Sequence, residues 1–168
     1  MKKSLGTLFV VGILVLTAHA ELLTVGSKAP VITGKDQDGA AVNFADVYAK
    51  GTTLVYFYPK AGTAGCTAQA CSLRDSFPDL TATGLQILGV SEDTVEAQKA
   101  FQQENNLQFT LIADNDGKVA EAFGVPLTNG RAKRQSFIIK NGKIVWTSLE
   151  AKTKEHAQEI QTALQSIN

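Results

Sequence analysis

Two short, mostly apolar runs constrain the fold of this chain more than any other feature of its sequence. The first covers residues 54–58 and is stopped by Pro59, and the second covers residues 85–91. Apolar runs of this length, without polar alternation, are typical of strands buried in the middle of a sheet. Residues 67–77, which lie between them, are predicted to form a helix. This order of elements predicts an α/β domain built around a central sheet.

The rest of the chain continues the alternation of short apolar runs and amphipathic stretches. The Asn141-Gly142 pair favours a two-residue hairpin turn, and an apolar stripe near the end predicts a helix that closes one face of the sheet. The further predicted elements are a leading hairpin of residues 31–33 and 42–44, a helix at 94–104, a strand at 109–112, a short helix at 118–123, a hairpin of 135–140 and 143–147, and a helix at 153–167.

The first twenty residues have the composition of an export signal. Lys2 and Lys3 precede an apolar run at residues 5–18, and Ala18-His19-Ala20 places small residues where signal peptidase cleaves. The run is shorter than the about 20 residues that a membrane-spanning helix needs, although a retained anchor is the alternative. We therefore predict a signal peptide at residues 1–20, a mature domain at residues 21–168, and a periplasmic or secreted protein with no stable membrane span.

Charge and histidine content exclude several classes of function. Loss of Lys2 and Lys3 with the signal would leave 14 basic side chains against 16 acidic ones, without a basic block. Nucleic acid is therefore not an expected partner. His156 would be the one remaining histidine, which excludes multi-histidine metal sites, and we expect no metal or other cofactor. His156 itself is predicted to be solvated, on a polar face of the last helix.

The two cysteines follow the first buried strand directly. Gly62 and Gly65 form a glycine-rich turn that would place Cys66 near a helix N-terminus, where backbone amides and the helix dipole favour a thiolate. An exported protein can also keep a structural disulfide between Cys66 and Cys71. Because closing so short a loop gives little stabilisation, the sequence favours reactive cysteines over a structural pair.

The residues around Cys66 resemble the peroxiredoxin active-site motif Pro-x-x-x-Thr-x-x-Cys, here Pro59, Thr63 and Cys66. The longer stretch at residues 56–75 is similar to the bacterioferritin comigratory protein or PrxQ-like subfamily. Further similarity covers residues 26–30, 36–39, 89–93 and 134–139. The sequence departs from the subfamily at Ala64, where proline is usual, at Lys140, where an acid is common, and at residues 125–133, which are shorter than in many relatives.

This resemblance implies a thioredoxin-like fold, with a central mixed β-sheet flanked by helices, and a thiol peroxidase. We expect the protein to be a monomer. It implies that Cys66 is the peroxidatic nucleophile and Cys71 the resolving thiol. In the same pattern Thr63 binds the peroxide, Arg134 is the cation beside the thiolate, and Pro59 shields the pocket. Hydrogen peroxide and organic hydroperoxides are the implied substrates. A thioredoxin-like exported dithiol protein is the expected reductant, because cytosolic thioredoxin does not reach an exported protein.

The chemistry of thiols agrees with these roles. An ordinary thiol with a pKa of about 8.5 is only ~3% ionised at pH 7. Complete ionisation would therefore raise its reactivity by at most ~30-fold, and the remaining acceleration has to come from orienting the peroxide and stabilising the departing oxygen. A guanidinium such as that of Arg134 and a hydroxyl such as that of Thr63 can do both.

Three other functions remain open from the sequence. A thioredoxin-type thiol-disulfide oxidoreductase shares the fold class, but it normally uses a Cys-x-x-Cys pair, whereas four residues separate Cys66 from Cys71. A copper-handling protein would need His156 as a ligand, and His156 lies in the distant terminal helix. An inert exported module with a structural disulfide would leave the Pro59, Thr63 and Arg134 pattern without a role.

Overall fold

A computed structural model of the chain describes residues 23–167. The predicted signal peptide at residues 1–20 lies outside the described residues. None of the helices within residues 23–167 is both long and apolar enough to cross a membrane. In chain order the elements are β1 (Thr33–Asp36), β2 (Ala41–Asn43), α1 (Phe44–Tyr48), β3 (Thr53–Phe57), α2 (Ala64–Asp75), α3 (Phe77–Ala82), β4 (Gln86–Ser91), α4 (Val95–Glu104), β5 (Thr110–Ala113), α5 (Lys118–Ala122), β6 (Leu127–Thr128), β7 (Arg131–Ala132), β8 (Ser136–Lys140), β9 (Lys143–Ser148) and α6 (His156–Ser166).

Seven of these strands form one sheet in the order β2-β1-β5-β4-β3-β8-β9. The two apolar runs of the sequence, β3 and β4, are neighbours at its centre and pair in parallel, with Val55 beside Leu88. β5 continues the parallel arrangement, whereas β8 runs antiparallel to β3, with Tyr56 opposite Ser136. The prediction of a central mixed sheet is therefore confirmed.

Helices cover both faces of the sheet, because alternate residues of β3 point to opposite sides. Leu54 and Tyr56 belong to a buried cluster that includes apolar side chains of α2, α3, α4 and α6. Val55 and Phe57 belong to a second cluster, with side chains of α1 and α5. Every residue of β3 is buried, as the apolar run that begins at Leu54 predicts.

The leading hairpin forms, but its strands are shifted from the predicted positions. β1 begins at Thr33, where the predicted strand ends, and Phe44 opens α1 rather than closing a strand. The side chain of Asn43 causes the second difference, because its Oδ1 accepts a hydrogen bond from the backbone N–H of Ala45 at 3.0 Å. This bond caps a helix at the point where the alternating pattern predicts a strand.

The helix that carries the cysteines begins three residues earlier than predicted and ends before Phe77. Ser76, with φ −103° and ψ 8°, separates α2 from α3. Pro78 lies in the first turn of α3, where the missing N–H of proline costs little. Neither α3 nor the small hairpin of β6 and β7 is predicted from the sequence. The remaining elements lie within three residues of their predicted bounds.

Candidate active site

The loop after β3 leads into α2 and places Cys66 in the first turn of that helix. Gly62 turns the chain with a φ of 74°, which glycine adopts without strain. Thr63 then takes an extended conformation as the N-cap residue. The backbone N–H of Ala61 donates to the carboxylate of Asp93 at 2.7 Å, which ties this loop to the segment after β4. Cys66 therefore lies beyond the carboxyl ends of two central strands, where α/β proteins gather reactive groups.

Arg134 contacts the sulfur of Cys66. The side chain of Cys66 is buried, with 2% of its surface exposed, and Arg134 Nη2 donates to its Sγ at 3.3 Å. Arg134 reaches this position because the next residue, Gln135, extends the pairing of β8 with β3 by accepting a hydrogen bond from Phe57 N at 2.7 Å. A guanidinium donor aimed at sulfur suits the anionic form of the thiol.

Thr63 and Pro59 lie on the loop that leads into the helix of Cys66. The Thr63 hydroxyl donates to the carbonyl oxygen of Lys60 at 3.0 Å and makes no capping hydrogen bond to α2. Its oxygen therefore keeps lone pairs that can accept a hydrogen bond from a hydroperoxide O–H. Pro59 is half-buried and directly follows the buried Tyr58, so it forms the start of the loop.

Cys71 lies in the same helix as Cys66, and both thiols are free. Cys71 is half-buried, and its Sγ lies 3.8 Å from Oδ1 of Asn105, at the end of α4. In a regular helix, residues five apart have Cα atoms about 9 Å apart. A disulfide requires about 4.4–6.8 Å, so the two cysteines cannot bond while α2 is intact.

The prediction that His156 is solvated is wrong, because its side chain is fully buried. The first turn of α6 packs against α2, where the backbone N–H of Ala157 donates to Ser72 Oγ at 3.0 Å. This contact turns the beginning of α6 towards the interior. The His156 ring lies edge-on to the ring of Tyr56, with centroids 5.5 Å apart. Burial, with a further effect from the positive charge of Arg134, lowers the pKa of His156 to about 3, so the imidazole is neutral at physiological pH.

Gln69 is a further residue of the site, and it is not predicted from the sequence. It lies one turn after Cys66 on α2 and is fully buried. Its Oε1 accepts a hydrogen bond from Arg134 Nη1, and its Nε2 lies 3.3 Å from Nδ1 of His156. Its spacing of three residues from Cys66 is the one signal in the sequence that places it on the same helix face.

Arg131, the nearest other arginine, lies elsewhere. It is exposed in β7 and pairs through its backbone with Thr128. Arg134 is therefore the arginine of this segment that contacts Cys66.

The chain is similar to known peroxiredoxins over most of its length. The AhpC/TSA family matches residues 25–147. The peroxiredoxin Bcp of Escherichia coli K12 is 42% identical over 142 residues, which cover 80% of this chain and 90% of that protein. The chloroplastic peroxiredoxin Q of Sedum lineare is 37% identical over 150 residues, which cover 86% of this chain and 80% of the relative.

Solved structures show the same fold. The crystal structure of peroxidoxin BcpB from Mycobacterium tuberculosis superposes with a TM-score of 0.81 at 28% identity and covers 87% of this chain and 99% of that one. A mutant of PrxQ from Xylella fastidiosa, at 22% identity, gives a TM-score of 0.80. The predicted thioredoxin-like fold is confirmed. By its matching segment and its relatives, the chain belongs to the AhpC/TSA family, as a peroxiredoxin of the Bcp and PrxQ type.

Proposed function

We propose that the protein is a thiol peroxidase that reduces hydrogen peroxide and organic hydroperoxides through a sulfenic acid on Cys66 and an intramolecular disulfide with Cys71. The contact between Arg134 Nη2 and the buried sulfur of Cys66, at 3.3 Å, carries this proposal. Membership of the family supports peroxidase chemistry over that of an exported thiol-disulfide oxidoreductase.

In the first step, the Cys66 thiolate attacks the distal oxygen of the hydroperoxide. The S–O bond forms as the O–O bond breaks, so sulfur loses two electrons and the departing oxygen leaves as water or an alcohol after taking up a proton. The Arg134 guanidinium can stabilise the negative charge that develops on the oxygens. The Thr63 hydroxyl, already oriented by its bond to Lys60 O, can hold the peroxide in line with the sulfur.

In the second step, the Cys71 thiol attacks the sulfenic sulfur of Cys66. An S–S bond forms, the S–O bond breaks, and the hydroxyl leaves as water. Because an intact α2 holds the two Cα atoms too far apart, at least one turn between Cys66 and Cys71 opens during this step.

An external dithiol protein would complete the cycle. It would reduce the disulfide by thiol exchange, forming its own disulfide and returning Cys66 and Cys71 to thiols. We propose a thioredoxin-like exported protein as this reductant and a monomer as the working form, since the proposed steps use residues of one chain. Peroxidase assays with candidate exported dithiol proteins, together with the mass in solution, test both points.

Single substitutions of the cysteines test the proposed roles. Cys66→Ser should abolish peroxide consumption in every assay. Cys71→Ser should retain one fast turnover and then stall as a sulfenic acid, which excess peroxide converts to sulfinic acid. Rapid mixing and mass spectrometry of each variant measure this. A fast first turnover in Cys66→Ser that is lost in Cys71→Ser would reverse the assignment.

The N-terminal segment supports an export proposal. A cleaved signal has a charged start, an apolar run and a site with small residues, and this segment has all three in Lys2 and Lys3, the run at residues 5–18 and Ala18-His19-Ala20. The mature chain would therefore begin at Glu21, in the periplasm or outside the cell. Mass spectrometry of the protein from a bacterial host should give the mass of residues 21–168. Full-length protein in the membrane fraction would instead indicate a retained anchor.

A further inference from the structure

A chain of buried polar side chains lies behind Arg134. Gln69, Ser136 and His156 are all fully buried, and they come from α2, β8 and α6 respectively. Gln69 Nε2 lies 3.3 Å from His156 Nδ1, and His156 Nε2 lies 2.9 Å from Ser136 Oγ. Because Gln69 also accepts a hydrogen bond from Arg134, the chain continues without a gap to the guanidinium that contacts Cys66.

The guanidinium fixes the direction of every hydrogen bond in this chain. A guanidinium only donates, so Gln69 has to present its oxygen to Arg134 and its NH₂ group to His156. His156 Nδ1 then has to accept, which leaves the ring proton on Nε2, facing Ser136. A neutral imidazole with one tautomer satisfies this arrangement, and the opposite tautomer places two donors face to face.

The surroundings of His156 keep its ring neutral. The groups that face it are the Arg134 guanidinium, the amide of Gln69, the hydroxyl of Ser136 and the ring of Tyr56. None of these is a carboxylate that would stabilise an imidazolium. Burial and the positive charge of Arg134 both lower the pKa of His156, so Nδ1 keeps its lone pair for Gln69 over the physiological pH range.

We propose that His156 is a positioning residue of the active site: it accepts a hydrogen bond from Gln69, fixes the orientation of that amide, and thereby holds the Arg134 guanidinium against Cys66. Without an acceptor at Nδ1, the buried NH₂ group of Gln69 has no partner. The side chain of Gln69 then loses one of its two anchors, and its oxygen no longer holds Arg134 in a fixed position. The inference deepens the proposed function, on which its kinetic consequence rests.

Two substitutions of His156 separate the hydrogen bond from the packing. His156→Phe keeps a ring of similar size but removes the acceptor, and should slow the oxidation of Cys66 by peroxide about tenfold, as expected when a buried polar group loses its partner. His156→Asn places an oxygen where Nδ1 lies and should restore most of the rate. Rapid mixing with hydrogen peroxide under single-turnover conditions measures both.

Ile160→Ala is the matched control. Ile160 is fully buried on the same helix, one turn after His156, and belongs to the apolar cluster. Its truncation should lower the thermal stability without changing the rate of Cys66 oxidation. Equal rates in the wild type and His156→Phe, or no recovery in His156→Asn when both variants are folded, would overturn the proposal.

Nitrogen-15 NMR of the imidazole gives a readout that does not depend on peroxide turnover. In the reduced wild-type protein at pH 7, the ring should be neutral with its proton on Nε2. In Gln69→Glu, the new carboxylate accepts hydrogen bonds from both Arg134 and the ring, so Nδ1 should become protonated. An imidazolium or an Nδ1-protonated ring in the wild type would contradict the inference even if peroxidase activity is present. If the ring shows the predicted tautomers but the protein has no peroxidase activity, the proposed function is overturned, whereas the arrangement of hydrogen bonds around His156 is not.

Discussion

Arg134 uses its two terminal nitrogens for two different partners. Nη2 donates to the sulfur of Cys66, and Nη1 donates to Gln69. Two contacts from a rigid, planar group fix its orientation, which the single nitrogen of a lysine cannot reproduce. The active-site geometry therefore depends on a residue that holds the arginine as well as on the arginine itself.

Substitution of Arg134 should lower the rate of the peroxide reaction sharply. Arg134→Ala removes a donor to the developing oxygen charge, and losses of this kind typically cost on the order of 10²–10³ in rate. Arg134→Lys should recover little, because a point charge lacks the planar fork. The second-order rate constant of Cys66 with hydrogen peroxide measures both effects.

Arg131→Ala is the matched control for this prediction. Arg131 carries the same charge but is exposed in β7, so its loss should leave the rate unchanged. Wild-type kinetics in Arg134→Ala, together with a slow Arg131→Ala, would move the cationic role to Arg131.

The site residues differ in how far the sequence predicts them. Arg134 is identified by the resemblance of residues 134–139 to a known family. Gln69 and His156 are not, because their hydrogen bond joins residues 87 positions apart. Their polarity favours exposed positions in an isolated helix, and only the packing of α6 on α2 buries them. No local pattern contains that information.

The elements with strong local signals form where the sequence predicts them. β3 is apolar from Leu54 to Phe57, and the Asn141-Gly142 turn between β8 and β9 has both residues at positive φ, 53° and 69°, as a two-residue hairpin turn of this kind requires. The start of α1 is set by a single residue, Asn43, and α3 begins directly after Ser76, with Pro78 in its first turn. A pattern averaged over several residues misses such boundaries.

Helix α2 should open when the disulfide forms. The sequence of residues 67–70 has no bulky apolar side chain, but Gln69 attaches this turn to Arg134 and His156. Amide exchange over residues 64–73 should be slow in the reduced protein and fast in the oxidised one, because the disulfide breaks the helical hydrogen bonds of this turn. Hydrogen-exchange mass spectrometry of both redox states measures this.

β3 provides the internal control. Its residues 54–56 are fully buried and pair on both sides, so their amides should stay protected in both states. Equal protection of residues 64–73 in the two states, with the Cys66-Cys71 disulfide confirmed by mass, would show that the bond forms without opening α2.

At the scale of the whole molecule, the strand order brings the site together. β8 lies beside β3 but follows it by more than 75 residues, and this pairing places Arg134 next to the first turn of α2, which carries Cys66. α6 then crosses the same face and adds His156. The alternation of the sequence predicts an α/β sheet, whereas the resemblance to a known family is needed to expect Arg134 at the site, because local patterns do not determine which strands are neighbours.

The stability of the whole protein should depend on pH through His156. Its pKa is about 3 in the folded protein and about 6.5 in an unfolded chain. Below pH 6.5 the unfolded chain therefore binds a proton that the folded protein does not bind until pH 3. This favours unfolding as the pH falls, by about 1.4 kcal/mol per pH unit. By pH 4.5 the loss of stability relative to neutral pH reaches roughly 2–3 kcal/mol.

The difference in unfolding free energy between the reduced wild type and His156→Asn separates the pH dependence due to His156 from that due to the carboxylates, because both proteins contain the same carboxylates. Urea denaturation at a series of pH values should show a nearly constant difference above pH 7, and a progressive loss of wild-type stability relative to the variant from pH 6.5 to pH 4.5. Because Ile160→Ala has no titrating group at the altered position, its difference from the wild type should not change over this range. If the difference in unfolding free energy between the wild type and His156→Asn also stays constant over this range, the pKa of His156 is the same in the folded and unfolded protein. Burial would then not keep the ring neutral.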